Sequence, residues 1–145
     1  MFLGHFEHNI DEKGRLTIPA RYRDQLNEGA YITLGFDSNL WVLPSPDFQM
    51  IYTLVDQINM ADPNGRILKR LILSHAQQVD SDRMGRILIP QFLRESAQLD
   101  SSAYVVGVGR YFEIWSKDLW QQQLQKLHDP SLTNERVAMF NLSGS

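Results

Sequence analysis

The stretch Asp11-Glu12-Lys13-Gly14-Arg15-Leu16-Thr17-Ile18-Pro19 is written a second time, in diverged form, as Asp82-Arg83-Met84-Gly85-Arg86-Ile87-Leu88-Ile89-Pro90, 71 positions later (11 to 82). A duplicated unit constrains a fold more than composition does, because each copy must take the same local form and the copies usually pack on one another. The correspondence continues: Ile32-Thr33-Leu34-Gly35 matches Tyr104-Val105-Val106-Gly107, and Leu40-Trp41-Val42-Leu43 matches Phe112-Glu113-Ile114-Trp115, both at a spacing of 72 (32 to 104). One residue is thus inserted between the motif and the later strands. Each copy reads strand, turn, strand, short helix, strand, turn, strand over roughly 45 residues, too few to bury an adequate core unaided. The two copies are expected to fold together.

Leu16 and Ile18, then Ile32, Leu34 and Phe36, then Leu40 and Val42 follow the period of two that marks half-buried strands, whereas residues 4–10 alternate poorly. Pro19 and Pro90 fit the first position of short helices over Ala20 to Leu26 and Gln91 to Ala97, where the missing N–H costs nothing. Between the repeats, Ser45-Pro46-Asp47 opens a helix carrying Phe48, Ile51, Leu54, Val55 and Ile58. A second helix is expected from about Asn64 to His75, with Leu68, Leu71, Ile72 and His75 on one face. Ser116-Lys117-Asp118 opens another, through about Leu127, which Pro130 ends; the tail from Ser131 to Ser145 reads as frayed, or as docked through Val137, Met139, Phe140 and Leu142. The expected organisation is repeat 1 over 5–47, a helical spacer over 48–75, repeat 2 over 76–119, and a C-terminal helix and tail over 120–145. The fold class is mainly β with flanking helices (α+β).

Composition excludes several functions. The absence of cysteine removes disulfides, thiolate zinc sites and cysteine nucleophiles. Neither the segment Met1-Phe2-Leu3-Gly4-His5-Phe6-Glu7 nor any later run resembles an export signal or a membrane span, so a cytoplasmic location without membrane attachment is expected. A formal net charge of −3 and a pI near 5.7 weigh against a nucleic-acid protein unless positive charge is clustered locally.

Around the first motif, Lys13, Arg15, Arg21 and Arg23 stand against Asp11, Glu12 and Asp24, so the local charge is only slightly positive. Glycine at Gly14 and Gly85 permits a positive φ, so the chain reverses tightly and carries Arg15 or Arg86 out on a firm mount. Asp11 and Asp82, four residues earlier, can each accept a loop amide or meet the guanidinium. A plain hairpin with a surface ion pair, worth less than about 1 kcal/mol, would need the glycine far more than the arginine. Retention of Asp, Gly, Arg and Ile-Pro in both copies therefore favours a functional pair.

Asp-x-x-Gly-Arg-x-x-Ile-Pro in both halves, with Leu73-Ser74-His75-Ala76 before the second, Leu93-Arg94 and Ala97 after it, and Glu113-Ile114-Trp115 closing it, resembles the MraZ family over almost the whole chain. The resemblance implies two SpoVT-AbrB-like swapped-hairpin repeats interleaved into one pseudo-two-fold, barrel-like domain. It also implies a transcriptional regulator of the bacterial division and cell wall gene cluster, acting on the nucleoid. Such a protein forms a closed homo-oligomeric ring on short G-rich direct repeats of double-stranded DNA in its own promoter region. Carried onto this sequence, Arg15 and Arg86 face the DNA bases, where arginine reads guanine O6 and N7 bidentately. Lys13 and Arg83 go to phosphates, Gly14 and Gly85 let the backbone approach closely, and Asp11 and Asp82 orient the arginines. Lys13 has no counterpart in the second turn, where Met84 stands, so unequal contacts are expected. Arg21, Arg23 and Arg94 follow on the short helices as either phosphate contacts or solvated charge.

Two other classes compete. An enzyme on a related barrel finds little support: His5 and His8 lie on opposite faces of a strand, and His75 reads as a hydrogen-bonded core residue. Val106-Gly107-Val108-Gly109 lacks the third glycine and helix of a dinucleotide site and suits a turn or bulge, and Trp41, Trp115, Trp120 and Phe112 suit a core or subunit interface. No catalytic residue, metal or cofactor is expected. The other alternative is an assembly protein whose Asp-Arg pairs latch neighbouring subunits.

Overall fold

In a computed structural model, which describes residues 1–142, repeat 1 supplies β1 (His5–Asn9), β2 (Arg15–Thr17), α1 (Ala20–Arg23) running into a 3-10 turn (Asp24–Leu26), β3 (Ala30–Leu34) and β4 (Leu40–Pro44). Two helices, α2 (Ser45–Asp56) and α3 (Pro63–Leu73), connect it to repeat 2, which supplies β5 (Gln77–Val79), β6 (Arg86–Leu88), α4 (Gln91–Ser96), β7 (Ser102–Gly107) and β8 (Phe112–Trp115). Helices α5 (Lys117–Leu127) and α6 (Pro130–Met139) follow.

The strands assemble across the repeats. The order in the larger sheet is β1-β7-β8-β4-β3-β5, and β2 pairs with β6 in a separate ribbon, every pair being antiparallel. Among the named strands of the described residues, β3·β4 and β7·β8 pair within a repeat and the others pair across. The pairing of β1 with β7 is mirrored by that of β5 with β3, while Leu16 opposes Ile87 and Trp41 opposes Glu113. Those last two pairs join equivalent positions of the duplication, so a pseudo-two-fold axis runs through them. The larger sheet remains open, with β1 and β5 as its edges, and the Ile10–Leu16 bridge ties the ribbon to the end of β1.

The alternation in the sequence explains the core. Leu16, Ile18, Ile87 and Ile89 turn inward and are at most 1% exposed, joining Tyr22, Leu93, Ile32, Leu40, Phe112 and Ile114 in one cluster. Tyr22 lies edge-on to Phe2 at 5.0 Å and 5.3 Å from Phe112, and its hydroxyl donates to the Leu3 carbonyl, so the ring is buried with its polar tip satisfied. Trp115 and Trp120 pack with Val106 in a second cluster, while Trp41 is half-buried beside Tyr111.

Several expectations shift. Pro19 and Pro90 stand at the N-caps, one residue before their helices, because a ψ near 140° (138° and 146°) leaves them extended. β3 stops at Leu34, and Phe36 lies exposed in the following turn against the edge of Trp41. Pro130 ends α5 but also starts α6, with the Asp129 carboxylate capping the Ser131 amide at 3.1 Å, so Pro130–Met139 forms a helix within the tail, which the sequence reads as either frayed or docked. Met139, Phe140 and Leu142 nevertheless remain exposed, and Ser143, Gly144 and Ser145 lie outside the described residues. His75 falls just beyond α3 and is only half-buried; its Nδ1 is 2.9 Å from the Leu71 carbonyl oxygen.

Candidate nucleic-acid interface

The two motif turns are built alike. Gly14 and Gly85 adopt φ of +86° and +74°, which glycine enters without steric cost. Each reversal is closed by the backbone: the Asp11 amide donates to the Arg15 carbonyl at 3.0 Å and the Asp82 amide to the Arg86 carbonyl at 2.8 Å. The aspartates then do both things open to them. Asp11 Oδ1 accepts the Lys13 and Arg15 amides at 3.0 and 2.9 Å, and its Oδ2 accepts Arg15 Nε at 2.6 Å. Asp82 Oδ1 accepts the Met84 and Arg86 amides, and its Oδ2 accepts Arg86 Nε, all at 2.9 Å. Each carboxylate thereby holds its turn and aligns the guanidinium.

The amide donated by Arg15 is the main reason the Asp11 carboxyl titrates below the usual carboxylate range, with the guanidinium adding to it; Arg86 does the same for Asp82. A depressed carboxyl pKa stabilises the folded form above the ordinary range, and that contribution is lost as pH falls through the depressed value. Both groups face solvent, so the expected effect is local. In an NMR titration, the Lys13, Arg15, Met84 and Arg86 amides should shift together with the two carboxyl carbons, at midpoints below those of free aspartate. Amides that stay still while the carboxyls titrate would remove the aspartates from the turn.

The ribbon brings the turns together. Arg15 pairs with Leu88 and Thr17 with Arg86, so these four side chains share the outward face while Leu16 and Ile87 point into the core. Arg86 Nη1 also lies 3.6 Å from Asp11 Oδ2, which places one carboxylate between both arginines. The reciprocal approach of Arg15 to Asp82 is absent among the described residues, so the two halves are not equal. Lys13 and Arg83 are exposed at the turn tips and form no ion pair among the described residues, and Met84 is exposed at the position equivalent to Lys13. Thr17 and Leu88 were not singled out from the sequence, although the alternation around Leu16 and Ile87 already put them beside the arginines.

Elsewhere the charged groups have structural surroundings. Arg21 is exposed, with its guanidinium carbon 5.1 Å from the centre of the Phe6 ring. Arg23 and Arg94 are half-buried against the turns. Burial raises the Glu113 carboxyl, which accepts Asn39 Nδ2 at 2.9 Å and Trp115 Nε1 at 3.1 Å and so fixes the centre of the sheet. No three metal-ligating side chains converge, and no helix is long and apolar enough to cross a membrane, among the described residues.

Comparison with known proteins agrees with this two-part construction. The family described as "MraZ protein, putative antitoxin-like" matches the chain twice, over residues 1–71 and 72–142. The chain is similar to a protein named transcriptional regulator MraZ from Roseiflexus sp. (strain RS-1), with 46% identity over 95% of this chain and 97% of that one. It is similar to proteins of the same name from Thermomicrobium roseum, at 42% identity over 97% of this chain and 100% of that one, and from Herpetosiphon aurantiacus, at 40% over 98% and 100%.

Proposed function

The chain belongs to the MraZ family, and from that premise we propose that it is a transcriptional regulator that reads double-stranded DNA with the outward face of the β2·β6 ribbon. The observation that carries the reading is the meeting of two Asp-x-x-Gly-Arg turns on the outward face of one ribbon, with half-buried arginines aligned by carboxylates. A major groove admits a two-stranded ribbon, and an arginine presented there pairs with guanine O6 and N7 for about 1–3 kcal/mol of discrimination. Arg15 and Arg86 take that role. Lys13 and Arg83, exposed at the tips, meet phosphates on either side. Leu88, on the same face, gives an apolar surface next to Arg15.

An acidic chain needs more than one such face. Asp11 and Glu12 offset Lys13 and Arg15 in the first turn, so one subunit binds weakly and strength comes from several subunits held together. A closed homo-oligomeric ring supplies them at a fixed spacing, which suits short G-rich direct repeats in the promoter of the protein's own gene, within the division and cell wall cluster. The protein then works in the cytoplasm, on the nucleoid. No cofactor, metal or catalytic residue enters.

A footprint of the purified protein on its own upstream region, at several salt concentrations, tests this. The expected result is protection of evenly spaced G-rich boxes, with an affinity that falls linearly in log–log form as salt rises. Protection without a repeat, or none at all, would overturn it.

A further inference from the structure

Arg23 and Arg94 are equivalent positions of the duplication, 71 apart (23 to 94), and neither is placed like solvated helix charge. Arg23 leaves repeat 1 and lies across the turn of repeat 2: a methyl group built on Gly85 would stand 2.1 Å from its Nε and 2.2 Å from its Cζ. Arg94 does the reverse, so that a methyl group on Gly14 would stand 2.1 Å from its Nη1 and 2.5 Å from its Cζ. The open side of each glycine, which sequence reasoning reserved for DNA, is filled by a guanidinium of the other repeat. The backbone crosses in the same sense. The Ile18 amide donates to the Gly85 carbonyl and the Ile89 amide to the Gly14 carbonyl, both at 2.9 Å, and Arg23 Nε donates to the Ile18 carbonyl at 3.0 Å.

Building on the DNA-reading role proposed for the turns, we infer that Arg23 and Arg94 are reciprocal positioning residues: Arg23 fixes the Gly85 turn that aims Arg86, and Arg94 fixes the Gly14 turn that aims Arg15. Glycine is the most permissive point of each turn. A planar group packed on its bare face removes the room in which the turn would rock. Lysine, with a compact ammonium on a flexible stem, reproduces the charge but neither the plane nor the Nε–H that holds Arg23 to the Ile18 carbonyl. A side chain spent in this way points along the protein, so the role is separable from phosphate binding.

The test uses the full chain and compares Arg23→Lys and Arg23→Ala for operator affinity across a salt series, alone and in Arg86→Lys and Arg15→Lys backgrounds. Both substitutions should weaken binding roughly tenfold with the salt slope unchanged; the loss should shrink in the Arg86→Lys background and persist in Arg15→Lys. The Arg94 variants should show the opposite pairing. Without DNA, Arg23→Ala should move the amide resonances of residues 82–86 more than those of 11–15. Wild-type binding by Arg23→Lys, a salt slope lowered by about one in Arg23→Ala, or coupling to Arg15 in place of Arg86 would overturn the proposal and leave the DNA reading standing. Failure of the wild-type protein to bind any upstream fragment would overturn the DNA reading, and the positioning role with it.

Discussion

Arg15→Ala is expected to abolish the shift of a promoter fragment while circular dichroism and oligomer size stay as in the wild-type protein. The two halves of that expectation have different physical sources. On the proposed role, a guanidinium paired with guanine supplies about 1–3 kcal/mol per engaged subunit, and in the proposed ring two engaged copies forfeit roughly 2–6 kcal/mol. Folding loses little by comparison. Arg15 is a third exposed, and its ion pair with Asp11 is open to solvent on one side, where such pairs contribute little to folding. The Asp11 carboxylate also keeps two amides and the approach of Arg86 when Arg15 is gone, so the turn retains its shape. Arg15→Lys separates charge from geometry: it should keep salt-dependent binding and lower preference for the operator to the part that Arg86 supplies. Retention of operator preference by Arg15→Ala would transfer base reading to other residues and empty the ribbon face of its assigned role.

Much of this candidate interface was legible in the chain because a repeat converts one ambiguous turn into two constrained ones. The spacing of Asp, Gly and Arg announced the reversal, and the period of two around Leu16 and Ile87 announced which side chains would be buried. Interleaving was less visible. A strand's partner is set by tertiary packing, and nothing in β1 itself selects β7 over β4. The placement of Arg23 and Arg94 was hidden for the same reason, since each meets a glycine that is remote in sequence and near only after the repeats cross. Helix α6 escaped because Pro130 carries two opposite signals, ending one helix and opening the next. The outward residues Thr17 and Leu88 could have been found, because alternation alone puts them beside the arginines.

Separating the repeats is expected to destroy the monomeric fold. A chain divided after Ser74, beyond the end of α3, gives a first fragment that keeps the β3·β4 pairing and the isolated Ile10–Leu16 bridge. Its β1 loses β7, its β2 loses β6, its β3 loses β5 and its β4 loses β8. The same cut strips Ile87, Ile89, Leu93, Phe112 and Ile114 from the core that surrounds Tyr22 and Leu16. At about 1.5–3 kcal/mol for each buried side chain, the loss is on the order of 10 kcal/mol, comparable with the whole stability of a domain. The fragment alone should therefore be unfolded, or should pair with a second copy of itself, since the pseudo-two-fold axis that sets Leu16 against Ile87 would accept Leu16 against Leu16. Mixing the two fragments should recover the far-ultraviolet circular dichroism and a cooperative thermal transition. A first fragment that sediments as a monomer and melts cooperatively would show that the repeats fold independently. Interleaving also bears on function: because every motif turn is bonded to the opposite repeat through Gly14 or Gly85, the reassembled fragments should regain operator binding together with their fold and not before it.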